Sequence, residues 1–107
     1  VIIDDWTFSG CNNLRNVIIP NSVRSIGRCA FRNCSSLITL TIPKSVNSIG
    51  TRAFHGCIKL KEINILSEEM TIGNSVFFEC SSLLKINVPF SFKSKNQFEK
   101  KILVNCV

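Results

Sequence analysis

A chain of 107 residues, 45% hydrophobic and 19% charged, has the size and composition of one globular domain and is not a disordered segment. No apolar run approaches the roughly 18 residues that cross a bilayer as a helix, which excludes a membrane span in this segment. The net charge of +6 is unevenly spread: from Trp6 to Lys61 stand Arg15, Arg24, Arg28, Arg32, Lys44, Arg52, Lys59 and Lys61 with no acidic residue among them. Such a run is read either as a solubilising solvated face or as attraction for acidic partners or glycans.

The chain starts in mid-pattern. Ile3, Trp6 and Phe8 occupy the columns of Ile26, Cys29 and Phe31, one repeat further on, so residues 1–8 read as the second half of a repeat. This beginning reads as a fragment or processed product, and the missing leader then says nothing about secretion. From residue 9 to residue 89 the unit recurs as four repeats, the last incomplete. Phe8, Phe31, Phe54 and Phe77 keep the period of 23, as do Cys11, Cys34, Cys57 and Cys80. Leu14, Leu37, Leu60 and Leu83 form a third column, and Ile19, Ile42, Ile65 and Val88 a fourth. A fixed period in this range marks a solenoid or array.

Within the cleanest copy, Leu37, Leu40 and Ile42 follow L-x-x-L-x-I, with the alternation of a short half-buried strand. Pro43 follows, with Pro20 and Pro89 in the same column, and a residue without an N–H closes a strand. Val46 and Ile49 then form a second apolar pair, matched by Val23 and Ile26. Gly27, Gly50 and Gly73 share the next column, which predicts either a φ > 0 turn or a close approach between coils. Ala53 and Phe54 are expected to point inward from a single helical turn. Burying each aliphatic is worth roughly 1.5–3 kcal/mol, and only the coils above and below can cover it. Four rungs at roughly 4.8 Å make a stack about 19 Å tall, so the end faces matter.

The third copy is irregular. Leu66 replaces the proline, and Glu69 stands in the column of Val23 and Val46, an expensive place for an unpaired charge. The loop is expected to shift so that Met70 or Leu66 fills the gap and Glu69 reaches water. After Pro89 the period fails. Residues 90–107 read as a C-terminal cap, with a helical turn over 94–100 and a final strand over 102–107, where Lys and Glu would blunt the open sheet edge.

The string Ile42-Pro43-x-Ser45-Val46-x-Ser48-Ile49-Gly50-x-x-Ala53-Phe54-x-x-Cys57-x-x-Leu60 resembles the BspA-like leucine-rich repeat of bacterial and protist surface proteins. The resemblance covers roughly residues 3–89 and departs from the motif at Leu66 and Glu69. It implies a leucine-rich-repeat α/β solenoid, mostly β: a right-handed coil with a parallel sheet of about four to five short strands and one helical turn per repeat. It also implies a cell-surface or secreted adhesion or host-binding role, the alternative being an intracellular (cytoplasmic) interaction module. The commoner leucine-rich pattern places Asn or Cys three residues after the last strand position. Here Ser22, Ser45 or Glu68 stands there, so no ladder of that type is expected.

Single cysteines separated by a whole repeat match no zinc pattern, which needs close pairs. Equivalent side chains on stacked coils point in parallel, so their Cβ atoms would not converge to the usual ~3.8 Å of a disulfide. Buried free thiols are expected. Cys29 and Cys106 lie outside the column, and Cys29, sharing a column with Trp6, Arg52 and Ser75, is expected near the surface. His55 has no base-and-nucleophile arrangement near it, Asp4 and Asp5 sit at the ragged start, and the Asn33-Cys34-Ser35 sequon centres on a cysteine expected to be buried. With no phosphate loop and no recurring carboxylate pair, the reading is a non-enzymatic scaffold without cofactor, metal or small-molecule substrate.

The outward face of the strands is the candidate site. Alternation exposes Arg15, Asn16 and Ile18 in the first rung and Ile38, Thr39 and Thr41 in the second. The third rung offers Lys61, Glu62 and Asn64, and the fourth Leu84, Lys85 and Asn87. A row of varied side chains on a rigid sheet is how repeat proteins bind, here a protein or glycan ligand. The alternative is a purely structural segment that self-associates through its open ends. The basic residues lack aromatic neighbours in sequence, which argues against nucleic acid.

Overall fold

The computed structural model describes residues 1–89, 91 and 92, together with the backbone of Leu103–Cys106. The chain coils once per sequence repeat into a β-solenoid with two parallel sheets. One sheet carries β1 (Ile2–Ile3), β3 (Ser25–Ile26), β5 (Ser48–Ile49) and β7 (Thr71–Ile72) in that spatial order. The other carries β2 (Asn16–Ile18), β4 (Thr39–Ile42), β6 (Glu62–Ile65), β8 (Lys85–Val88) and β9 (Leu103–Cys106). Every pairing from β1 to β8 keeps the sequence period: Leu40 lies opposite Val17 and Ile63, and Ile26 opposite Ile3 and Ile49. The isoleucine of the second apolar pair, with the serine or threonine before it, thus builds a sheet of its own in successive repeats, where the sequence suggested one sheet and a second extended segment.

The strands form where apolar and polar residues alternate. In β4, Leu40 and Ile42 are buried while Thr39 and Thr41 face out, and β6 and β8 repeat the pattern with Ile63, Ile65, Ile86 and Val88. The core is one continuous cluster in which Phe31, Phe54, Leu37, Leu60, Cys34 and Cys57 are fully buried. The phenylalanine column stacks as the period requires, with ring centroids 5.2, 5.1 and 5.8 Å apart from Phe8 through Phe31 and Phe54 to Phe77. At the first corner Pro20 and Pro43 accept from Val23 and Val46 N–H groups at 3.1 and 3.2 Å, closing tight turns that bring both valines inward.

At the irregular corner Met70 fills the gap, only 3% exposed, while Glu69 reaches solvent and Leu66 turns outward. Ser67 is buried there and donates its hydroxyl to the Glu69 carbonyl at 3.0 Å. Leu66, having the N–H that proline lacks, donates to the Ile42 carbonyl at 2.9 Å, so the ladder runs one bond further in this copy.

The expected helical turn is absent from the described residues; in its place each coil makes a chain of tight turns. Ala30, Arg32 and Cys34 N–H groups donate locally to the carbonyls of Gly27, Cys29 and Phe31. The alternate N–H groups of Cys29, Phe31 and Asn33 instead donate to Thr51, Ala53 and His55 on the next coil at 3.0, 2.7 and 2.7 Å. Trp6, Phe8 and Gly10 do the same toward Arg28, Ala30 and Arg32, and Arg52, Phe54 and Gly56 toward Asn74, Val76 and Phe78. A helix would keep every N–H along its own axis. Left-handed residues at Cys29 (φ 56°) and Asn33 (φ 59°) re-aim every second peptide, giving the solenoid a third hydrogen-bonded side.

The glycine column resolves as close approach. A Cβ at Gly27, Gly50 or Gly73 would stand 2.5 Å from the backbone nitrogen of Asp5, Arg28 or Thr51 on the preceding coil. At the far end β9 extends the five-stranded sheet in parallel, but Leu103, which breaks the period, lies opposite Lys85. The helical turn expected over 94–100 lies outside the described residues.

Candidate functional site

The five-stranded sheet brings eight of the twelve sequence-predicted residues together on one face. Asn16, Thr39, Glu62 and Lys85 lie side by side in register, as do Ile18, Thr41, Asn64 and Asn87. Arg15, Ile38, Lys61 and Leu84 form the flanking column just before the strands, tied by Ile38 N–H to the Arg15 carbonyl at 3.0 Å and Lys61 N–H to the Ile38 carbonyl at 2.9 Å. The face is polar and partly prearranged. Asn87 donates through Nδ2 to Asn64 Oδ1 at 2.7 Å and also to the Glu62 carboxylate. Thr39 Oγ1 lies 3.5 Å from Asn16 Oδ1. Against this network stand two isolated aliphatics that face water, Ile18 at 93% and Leu84 at 71% exposure.

The cysteine column lies inside. Cys34, Cys57 and Cys80 are buried free thiols whose Sγ atoms donate to the carbonyls of Phe8, Phe31 and Phe54 at 3.3, 3.2 and 3.0 Å. Hydrogen bonds with the Cys34 and Cys80 thiols, together with burial, push the Cys57 thiol well above its ordinary value. These groups fill space and satisfy carbonyls; they are not poised as nucleophiles. Cys29 is a correction: it is only 4% exposed, flanked on adjacent coils by the bulkier Trp6 and Arg52. The side chain of Cys106 lies outside the described residues.

His55 is half-buried, tilted against Phe78 with ring centroids 5.5 Å apart, and its Nε2 lies 3.3 Å from Glu79 Oε1. Asp5 accepts from the Arg28 backbone N–H at 2.7 Å, tying the first coil to the next. Among the described residues no three His, Cys, Asp or Glu side chains converge on a possible metal position, and no helix is long and apolar enough to cross a membrane.

Sequence reasoning passed over one feature. On the third side of the solenoid a groove of about 610 Å³ is lined by Trp6, Arg28, Cys29, Arg32, Thr51 and Arg52. The guanidinium carbon of Arg32 lies 5.9 Å from the centroid of the Trp6 ring. The sequence signal was the column shared by Trp6, Cys29 and Arg52 inside the acid-free stretch; Arg32 joins it only through the turn geometry.

These observations define a parallel β-solenoid repeat protein whose variable side chains line a sheet. The description "BspA type leucine rich repeat region" matches residues 1–106 in six copies, and the chain belongs to that family. A leucine-rich repeat protein from Bacteroides ovatus, solved by crystallography, superposes with a TM-score of 0.86 at 34% identity over 100% of this chain. The chain spans 28% of the length of that protein. No curated protein sequence matches it. Repeats of this family are typically non-enzymatic scaffolds that mediate protein interactions, and its bacterial members are typically surface-associated.

Proposed function

We propose that the five-stranded sheet is the ligand platform of a surface adhesin or host-interaction protein, and that it binds a protein or glycan through Arg15, Asn16, Ile18, Ile38, Thr39, Thr41, Lys61, Glu62, Asn64, Leu84, Lys85 and Asn87. The observation that carries this reading is the composition of that face. Exposed Ile18 and Leu84 lie among Lys61, Lys85 and the Glu62–Asn64–Asn87 network on a backbone that cannot move independently of the core. Apolar anchors inside a hydrogen-bonding surround are how interfaces are built. Membership of a family whose bacterial members are typically surface-associated supports the location. Surface plasmon resonance against extracellular-matrix proteins and a host-glycan array tests it. Saturable binding that falls at least tenfold in the Lys61→Glu/Lys85→Glu double variant supports the platform; binding unchanged by both substitutions refutes it.

A further inference from the structure

We propose that the groove on the third side of the solenoid is a separate site for an acidic saccharide, one carrying sulfate or uronate groups. It is independent of the sheet platform and lies on another face. Arg28, Arg32 and Arg52 converge there on successive turns of chain around Thr51 and Cys29, with Trp6 at the rim. Asp5 offsets Arg28 at 3.9 Å, while Arg32 and Arg52 have no carboxylate within ion-pair distance among the described residues. Two uncompensated guanidinium groups in one shallow groove favour an oxyanion, which their planar forks can grip through paired hydrogen bonds.

The backbone adds a second observation. Each coil has two left-handed positions. One column meets that demand mostly with residues that tolerate it, Gly10, Asn33 and Gly56. The other uses Trp6 (φ 63°), Cys29 (φ 56°), Arg52 (φ 58°) and Ser75 (φ 56°), where glycine or asparagine would relieve strain of order 1 kcal/mol each. Two of the groove's large side chains, Trp6 and Arg52, are thus held at strained positions. Trp6, 51% exposed, offers an apolar ring beside the cations, the pairing that suits the C–H face of a sugar bearing an anion. A single-stranded nucleic acid fits less well. It needs successive stacking platforms, and the coils after Trp6 place Cys29, Arg52 and Ser75 in that column.

Trp6 is the only tryptophan, so its fluorescence reports this groove alone. Titration with a sulfated uronate–hexosamine octasaccharide at about 0.1 M salt is expected to change the emission saturably, whereas the neutral desulfated, carboxyl-reduced octasaccharide leaves it unchanged. Arg32→Gln and Arg52→Gln each weaken binding at least tenfold, and Arg32→Lys, which keeps the charge but not the fork, weakens it less. Should the Gln variants fail to give the native circular dichroism spectrum, Arg32→Lys and Thr51→Val carry the comparison, both weakening binding. Lys61→Glu/Lys85→Glu leaves the Trp6 response intact, which separates this site from the sheet platform. An unchanged emission overturns the proposal. So does equal weakening by Lys44→Glu outside the groove, or tighter binding of a single-stranded oligonucleotide or a polyglutamate peptide of equal charge.

Discussion

Replacing Gly50 by alanine probes the spacing on which the whole stack depends. A methyl group there would lie 2.5 Å from Arg28 N, 2.7 Å from the Gly27 carbonyl carbon and 2.9 Å from Arg28 Cα, all backbone atoms. Ordinary contact requires the coils to part by roughly 1 Å. That movement acts directly on the Gly50 N–H bond to the Ile26 carbonyl at 2.7 Å and the Cys29 N–H bond to Thr51 at 3.0 Å. It also opens the Phe31–Phe54 stack, now 5.1 Å between centroids. Overpacking of this kind destabilises by about 1–3 kcal/mol, and two loosened hydrogen bonds add about 1 kcal/mol each, so the expected loss is about 3–5 kcal/mol. With an m-value of about 2 kcal/mol/M, the urea midpoint falls by roughly 1.5–2.5 M. Gly10→Ala is the control: its φ is 76°, but nothing lies within 4 Å of the added methyl. Strain alone then removes about 1 kcal/mol. Urea unfolding followed by far-UV circular dichroism gives both values. Equal losses for the two variants, or none at Gly50, would refute the reasoning.

Other outcomes follow from single contacts. Met70→Ala, which empties a buried position, lowers stability by about 2–4 kcal/mol in the same assay, whereas Glu69→Val stays within about 0.5 kcal/mol because Met70 already occupies the valine's space. Cys34, Cys57 and Cys80 resist iodoacetamide in the native protein at pH 8 and react once it is unfolded, read by mass spectrometry of the alkylated chain. The raised Cys57 thiol has a signed consequence for pH. The folded state keeps a proton that the unfolded chain releases above its ordinary value of 9.0, so this contribution is intact below pH 9 and is lost as pH rises further. Cys57→Ala lessens that loss in urea melts between pH 8 and 11, the measurement that checks the sign.

The period was legible because the columns of Phe, Cys, Leu and Ile each fill one position in the stack, and like residues above one another pack best when identical. The exit of Glu69 was legible for the same reason: a charge in a sealed column must leave and a neighbouring aliphatic must enter, and the structure selects Met70 over Leu66 as that residue. The turn ladder was not. Its first left-handed column holds Trp6, Cys29, Arg52 and Ser75, residue types that give no hint of positive φ, so the local pattern reads as a helical turn. Cys29 was misplaced because the column suggested an outer position, whereas its burial is set by the bulk of the neighbours on adjoining coils. Alternation alone places the eight in-strand positions of the sheet face, while Arg15, Ile38, Lys61 and Leu84 sit just before the strands. The groove was not legible, because Trp6 and Arg32 stand more than a full repeat apart in the chain and meet only when the coil closes.

The ladder on the third side has a direction. Each coil hands its alternate N–H groups forward to the carbonyls of the coil that follows, from Trp6 to Arg28, from Cys29 to Thr51 and from Arg52 to Asn74. The array is therefore polar along its axis: a coil fits onto its neighbour in one sense only, meeting carbonyls with N–H groups along this side, and a coil turned over would set acceptor against acceptor.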